Sequence, residues 1–170
     1  MTVSTIYLAG GCFWGTQKFF DQYAGVLETE VGYANGPSEN PGYPDVCAGS
    51  GHAETVRIVC DDAVISLSQL LEYYFLTIDP LSYHRQGMDQ GIQYRTGIYY
   101  TDAEDLPELE AAYAEEQAKY RRKLEVELLP LENFWPAEEY HQKYLDKNPG
   151  GYCHIPGRLL NLRNREEGNG

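Results

Sequence analysis

No run of apolar residues in this 170-residue chain approaches the roughly 20 needed to cross a bilayer. The opening stretch MTVSTIYLAGG has neither a basic start nor a long apolar core, so no secretory signal is expected and a soluble, cytoplasmic protein is. Positive charge is scarce. Thirteen Lys and Arg stand against 26 Asp and Glu, giving a formal net charge of −13. Such a surface repels phosphate backbones and anionic lipids, so neither nucleic acid nor a membrane is expected as a partner. The four cysteines, Cys12, Cys47, Cys60 and Cys153, are widely separated and form no CxxC, which argues against a disulfide-stapled secreted fold. The four histidines show no paired-ligand spacing, so no zinc site is expected. No phosphate-binding loop, no Gly-x-Gly-x-x-Gly at a helix start and no internal repeat is present.

What remains is enough for a packed core. Hydrophobic residues make up 42% of the chain and aromatics 13%, which excludes general disorder. The patterns predict strands at Ser4–Ala9, Leu27–Val31, Thr55–Cys60, Thr96–Tyr100 and Leu124–Leu129. They predict helices at Cys12–Tyr23, Ser66–Thr77 with Ser66 as cap, and Asp105–Lys123. The first six elements run strand, helix, strand, strand, helix, strand, the order of a ferredoxin-like α+β fold: a two-layer α/β sandwich with helices on one face of a sheet. Three Gly- and Pro-rich segments, Gly32–Gly51, Asp79–Gly97 and Asn148–Gly170, are too long to be plain connectors. One domain spanning residues 1–170 is expected, with an irregular tail from about 148 that frays at Asn164–Gly170.

Cys12 is the strongest candidate for chemistry. It follows a strand and two glycines and opens a helix, whose free N–H groups and positive dipole end should lower a thiol pKa from about 8.5. The other reading is a small buried turn residue. Phe13 and Trp14 put aromatic surface beside the sulfur. Glu54, at the start of an apolar strand, can be desolvated and kept protonated, though an ordinary strand-edge glutamate fits the same position. Tyr43, Asp89 and Tyr94 lie in the long loops, where phenols can hydrogen-bond a polar oxygen. Cys153 sits in a glycine-rich tail able to swing toward another thiol. Glu138 and His141 form a lone Glu-x-x-His pair, read as a helix face because a di-metal site needs two. Cys47 and Cys60 read as structural, and Lys119–Lys123 as a solvated basic helix face.

These residues fall in a familiar order. GCFWG at Gly11–Gly15, then GYANG, YPDVCAGSGHAE, QGMDQGIQYRTGIYY and NPGGYCHI closely resemble the successive blocks of the peptide methionine sulfoxide reductase A family, from about Ile6 to Ile155. The resemblance implies the family's ferredoxin-like sandwich. It also implies reduction of methionine S-sulfoxide, free or in peptides and proteins, as repair under oxidative stress. Cys12 would be the nucleophile and Glu54 the acid, with Tyr43 and Tyr94 as hydrogen-bonding partners. Phe13 and Trp14 would line the methyl pocket, and Asp89 would support the site. Cys153 would be the resolving cysteine, forming a Cys12–Cys153 disulfide that thioredoxin reopens. No metal or organic cofactor is implied, and a monomer is expected. The chain departs from the family in three places. CAGSGHAE is one residue short, with Ser50 where Thr is usual; His84 replaces a common asparagine; and one tail cysteine stands where some members have two, implying a single relay. A thiol peroxidase and a non-catalytic aromatic-cleft binding module are the rival readings.

Overall fold

β-Branched and aromatic residues alternate along β1 (Val3–Ala9), sending Ile6 and Leu8 to one face of a sheet and Tyr7 to the other. The computed structural model describes residues 2–160, so the expected fray at 164–170 lies outside the described residues. After β1 come α1 (Phe13–Phe20), β2 (Val26–Ala34), α2 (Tyr43–Cys47), β3 (Ala53–Asp61) and α3 (Leu67–Leu76). A two-strand ribbon follows, β4 (Arg85–Gln86) with β5 (Asp89–Gln90), then β6 (Gly97–Tyr100) and α4 (Leu106–Gln117). β7 (Glu127–Pro130), β8 (Phe134–Pro136), α5 (Tyr144–Lys147) and α6 (Gly157–Leu160) complete the order.

The six-stranded sheet runs β7-β6-β1-β3-β2-β8. Its four central strands are antiparallel neighbours in the split βαβ arrangement, and β7 adds in parallel to β6. Phe19 and Phe20 of α1 and Leu70, Leu71 and Tyr74 of α3 pack with Ile6, Leu8, Val31, Val56, Ile58 and Ile98, all fully buried. The opposite face carries a smaller cluster in which Tyr7 meets Phe134 edge-on at 5.1 Å. The expected mixed α/β sheet with helices on one face is therefore present.

Ser66 caps α3: its Oγ accepts the Gln69 N–H at 3.1 Å, and Gln69 Oε1 accepts the Ser66 N–H at 2.9 Å. The third helix is shorter than its pattern predicts and ends at Gln117 rather than Lys123. The Gln117 amide donates to the Arg122 carbonyl at 2.8 Å and accepts the Leu124 N–H at 2.9 Å, turning the chain back toward β7.

Two ties shape the end of the sheet that carries the site. The Tyr74 hydroxyl, fully buried, donates to the Ala9 carbonyl at 2.5 Å and accepts the Gly97 N–H at 3.1 Å, joining the ends of β1 and β6. Arg95 donates to the carbonyls of Gly51, Ile92 and Asn35 at 2.9–3.1 Å and pairs with Glu127 at 2.8 Å. One guanidinium thus holds both long loops against the sheet.

Candidate active site

Cys12 is the N-cap of α1, with extended backbone angles of φ −67° and ψ 128°. Gly11, at φ +75°, makes the turn into it, a conformation that a side chain would strain. The Gly11 N–H donates to the Tyr94 carbonyl at 3.2 Å, which straps the Tyr94 loop to the end of β1. The Cys12 N–H faces the Asp89 carboxyl, and the Trp14 N–H faces the Cys12 sulfur. Asp89 therefore holds the backbone of the cysteine; its Oδ2 is buried without a hydrogen-bond partner among the described residues.

Glu54 reaches the same place by strand parity. With Val56, Ile58 and Cys60 it points to the helix-covered face of β3, and it is only 2% exposed. Its Oε1 accepts the Phe13 N–H at 3.2 Å. Burial pushes the carboxyl up to about 8; the Phe13 N–H opposes this, and the nearby Asp89 adds to it. The group is an acid at neutral pH.

The expected low-pKa thiolate is not what the structure holds. Burial raises the Cys12 pKa well above its ordinary value, and the charges of Glu54, Asp89 and Cys153 push it further. The Trp14 N–H lowers it, by less. The helix end is real, but at 7% exposure desolvation outweighs it.

The phenols of Tyr43 and Tyr94 are both held protonated, chiefly by burial. Tyr43 lies beside Cys47, then Glu54; Tyr94 lies close to Glu54, Asp89 and Cys12. Phe13 is 1% exposed and packs beneath the site against Tyr33 and His141, at ring separations of 5.7 and 5.3 Å. Trp14 is partly buried and stacks on Tyr144 at 3.7 Å. Cys153 lies over the first turn of α1, so close that a Cβ on Gly15 would overlap its sulfur. All four cysteines are free thiols; Cys60 is buried in β3, but Cys47 is exposed rather than part of a core.

Two residues set aside on sequence prove central. Glu138 caps a single 3-10 turn, Glu139–His141, that His141 ends, rather than the two sharing a helix face. Glu138 accepts the Tyr33 hydroxyl at 2.8 Å and the Tyr43 N–H at 3.0 Å, which fixes the start of α2. Burial alone would raise its pKa, but these hydrogen bonds and its own N–H hold it below the usual value. His141 Nδ1 accepts the Trp14 indole N–H at 3.0 Å, and its ring lies 4.6 Å from that of Tyr43. Burial lowers its pKa and keeps it neutral. The available signal was the clustering of Tyr140, His141 and Tyr144 after Glu138, whose i, i+3 and i+4 spacing reads as a helix face. Of the departing positions, Ser50 Oγ bonds His52 Nδ1 at 2.9 Å, and His84 stacks on Tyr83 at 3.7 Å with φ +49°. Among the described residues no group of three or more His, Cys, Asp or Glu could hold a metal ion, and no helix is long and apolar enough to cross a membrane.

Residues 4–167 match the family described as peptide methionine sulfoxide reductase. A peptide methionine sulfoxide reductase, MsrA, from Lachnoclostridium phytofermentans is 55% identical over 152 residues, 89% of this chain and 92% of that protein. Among solved structures, Mxr1 from Saccharomyces cerevisiae in reduced form superposes with a TM-score of 0.86 at 38% identity, covering 91% of each chain. Mxr1 in complex with Trx2 superposes at 0.59 and 26% identity, covering 84% of each.

Proposed function

The chain belongs to the peptide methionine sulfoxide reductase family, a thiol-dependent oxidoreductase family, and from that premise we propose how its residues carry the reaction. The observation that carries the reading is a buried carboxylic acid, Glu54, held one residue from the cysteine by the Phe13 N–H. A sulfoxide sulfur is a poor electrophile, so it needs a proton at oxygen before a thiol can add to it. Glu54 supplies that proton, and the phenols of Tyr43 and Tyr94 donate hydrogen bonds to the same oxygen. Asp89 holds the Cys12 backbone, while Trp14, backed by Phe13, takes the methyl group.

Both reacting groups start protonated, and this closes the proton balance. As the Cys12 sulfur bonds to the substrate, its proton passes to the carboxylate that Glu54 has just become. The substrate S–O bond and the transient bond between the two sulfurs then break as the hydroxyl passes to the Cys12 sulfur, so methionine leaves, Cys12 becomes a sulfenic acid, and Glu54 is an acid again. The Cys153 thiol then attacks the sulfenic sulfur, forming the Cys12–Cys153 disulfide and releasing water. A thioredoxin-type dithiol reopens it by thiol–disulfide exchange; the complex of the yeast relative with Trx2 supports that partner. The S epimer, free or peptide-bound, is the proposed substrate, and a monomer in the cytoplasm, a single domain with no added cofactor, the proposed working form.

The test uses fully reduced protein without an external reductant, mixed with each epimer of a blocked methionine sulfoxide. Roughly one methionine per chain from the S epimer, with two thiols lost, is expected. Methionine from neither epimer would overturn the assignment. Cys12→Ser should form none. Cys153→Ser should form the first methionine at the parental rate yet fail to cycle with thioredoxin; unchanged cycling would transfer the resolving role to Cys47 or Cys60.

A further inference from the structure

Two glycines bracket Cys12 in GCFWG, and each lacks a Cβ where the C-terminal tail lies. At Gly11 a Cβ would sit 2.7 Å from a carbon of the His154 imidazole and 2.9 Å from both its nitrogens. At Gly15 it would overlap Cys153 Sγ and lie 3.2 Å from Ile155. The tail therefore crosses the first turn of α1 in a fixed register, His154 on one glycine and Cys153 on the other. The Ile155 N–H donates back to Cys153 Sγ at 3.3 Å and orients the sulfur.

Nothing in the reaction above uses His154, and hydrogen bonding does not explain its place. Both ring nitrogens are buried without a hydrogen-bond partner among the described residues, although the Gly10 carbonyl faces the ring and opposes the effect of burial on its pKa. Burial depresses the imidazole to about 4, so a neutral ring fills the seat. On its other side the residue borders the Gly87 turn, where a Cβ on Gly87 would lie 3.4 Å from the His154 Cβ.

We propose that His154 is a positioning residue for the resolving step, its ring seated on Gly11 so that the neighbouring Cys153 is held over Gly15 within reach of Cys12. In that step the Cys153 S–H and the Cys12 S–OH bonds break and a sulfur–sulfur bond forms. The thiol proton leaves with the hydroxyl as water. The seat supplies proximity, which a displacement of about 1 Å can cost by up to roughly a hundredfold. The proposal rests on the assignment of Cys12 and Cys153 above.

The experiment follows both halves of one turnover in a single sample. Reduced His154→Ala, His154→Phe and His154→Gln are mixed with the blocked sulfoxide, and methionine release is timed against loss of the second thiol. Dimedone traps any sulfenic acid that lingers. His154→Ala should release methionine at the parental rate but close the disulfide at least roughly tenfold more slowly, with Cys12 captured by dimedone. His154→Phe, which refills the seat without nitrogens, should restore closure, and His154→Gln should not. Closure at the parental rate in His154→Ala would overturn the proposal. Rescue by Gln and not by Phe would also overturn it, in favour of a chemical role for the nitrogens. Should His154→Ala not fold, His154→Gln decides alone: it must slow closure while releasing methionine at the parental rate, and parental closure there refutes the proposal. Loss of methionine release in the parent would instead refute the assignment of Cys12.

Discussion

At the scale of single residues, the candidate site keeps protons on groups that usually lose them. Glu54 and Cys12 are both pushed up by burial, so the site holds an acid and a thiol rather than an ion pair. Glu54→Gln cannot return a proton, and the rate of methionine release should fall by roughly 10²–10³-fold with little change in substrate binding. The parental rate should also decline above pH 8 as Glu54 ionises, measured in single turnovers. The same burial has a stability cost. Folding raises the carboxyl from 4.5 to about 8, so between those values the folded chain keeps a proton that the unfolded chain releases. Stability contributed by this group is intact below pH 4.5 and is lost as pH rises through the window. Glu54→Gln should therefore be more stable than the parent at pH 8.5, by up to about 5 kcal/mol, and should lose most of that advantage at pH 4.5. Urea titrations at the two pH values would decide it, and an advantage equal at both would contradict the buried-acid account.

At the scale of elements, Arg95 ties together the two loops that carry Tyr43 and Tyr94. Arg95→Ala would remove a donor from the partly buried Gly51, Ile92 and Asn35 carbonyls and from the Glu127 carboxylate, and should destabilise the fold by about 1–3 kcal/mol. Denaturant midpoints check this, with Ser66→Ala, a cap on the far side worth about 1 kcal/mol, as the comparison. The regular elements were legible because their signals are local: the stripe of Leu67, Leu70, Leu71 and Tyr74 and the parity of Val56 and Ile58 each report one face. Helix α4 was overextended because the charged run after Gln117 has no stop signal of its own; a glutamine side chain closes the turn. Cys12 and Glu54 stood out by position, and burial then reversed the expected sign for the thiol. Glu138 and His141 did not stand out. Their role depends on contacts with Tyr33, Tyr43 and Trp14, about a hundred or more residues earlier in the chain, and their spacing reads as a helix face where a single 3-10 turn forms.

At the scale of the whole molecule, the proposed disulfide would join an early segment of the chain to a late one. Cys12 follows the first strand and Cys153 belongs to the last described segment, so their disulfide would close nearly the entire chain into one loop. A loop of that length should stabilise the oxidised protein by up to about 5 kcal/mol in a chain-entropy account. The oxidised enzyme should accordingly melt higher than the reduced one, and Cys153→Ser should melt alike under both conditions; equal melting of the parent in both states would count against the ring closure. The chain contains two tryptophans, and the structure gives them unlike surroundings. Trp135 lies in the edge strand β8, whereas Trp14 stacks on Tyr144 and bonds His141 two residues from the reacting sulfur. Trp14 is thus a lamp fixed beside the catalytic step. With Trp135→Phe removing the background, its emission should change colour and brightness as Cys12 passes from thiol to sulfenic acid to disulfide, letting each stage of one catalytic cycle be watched by light in an otherwise unlabelled protein.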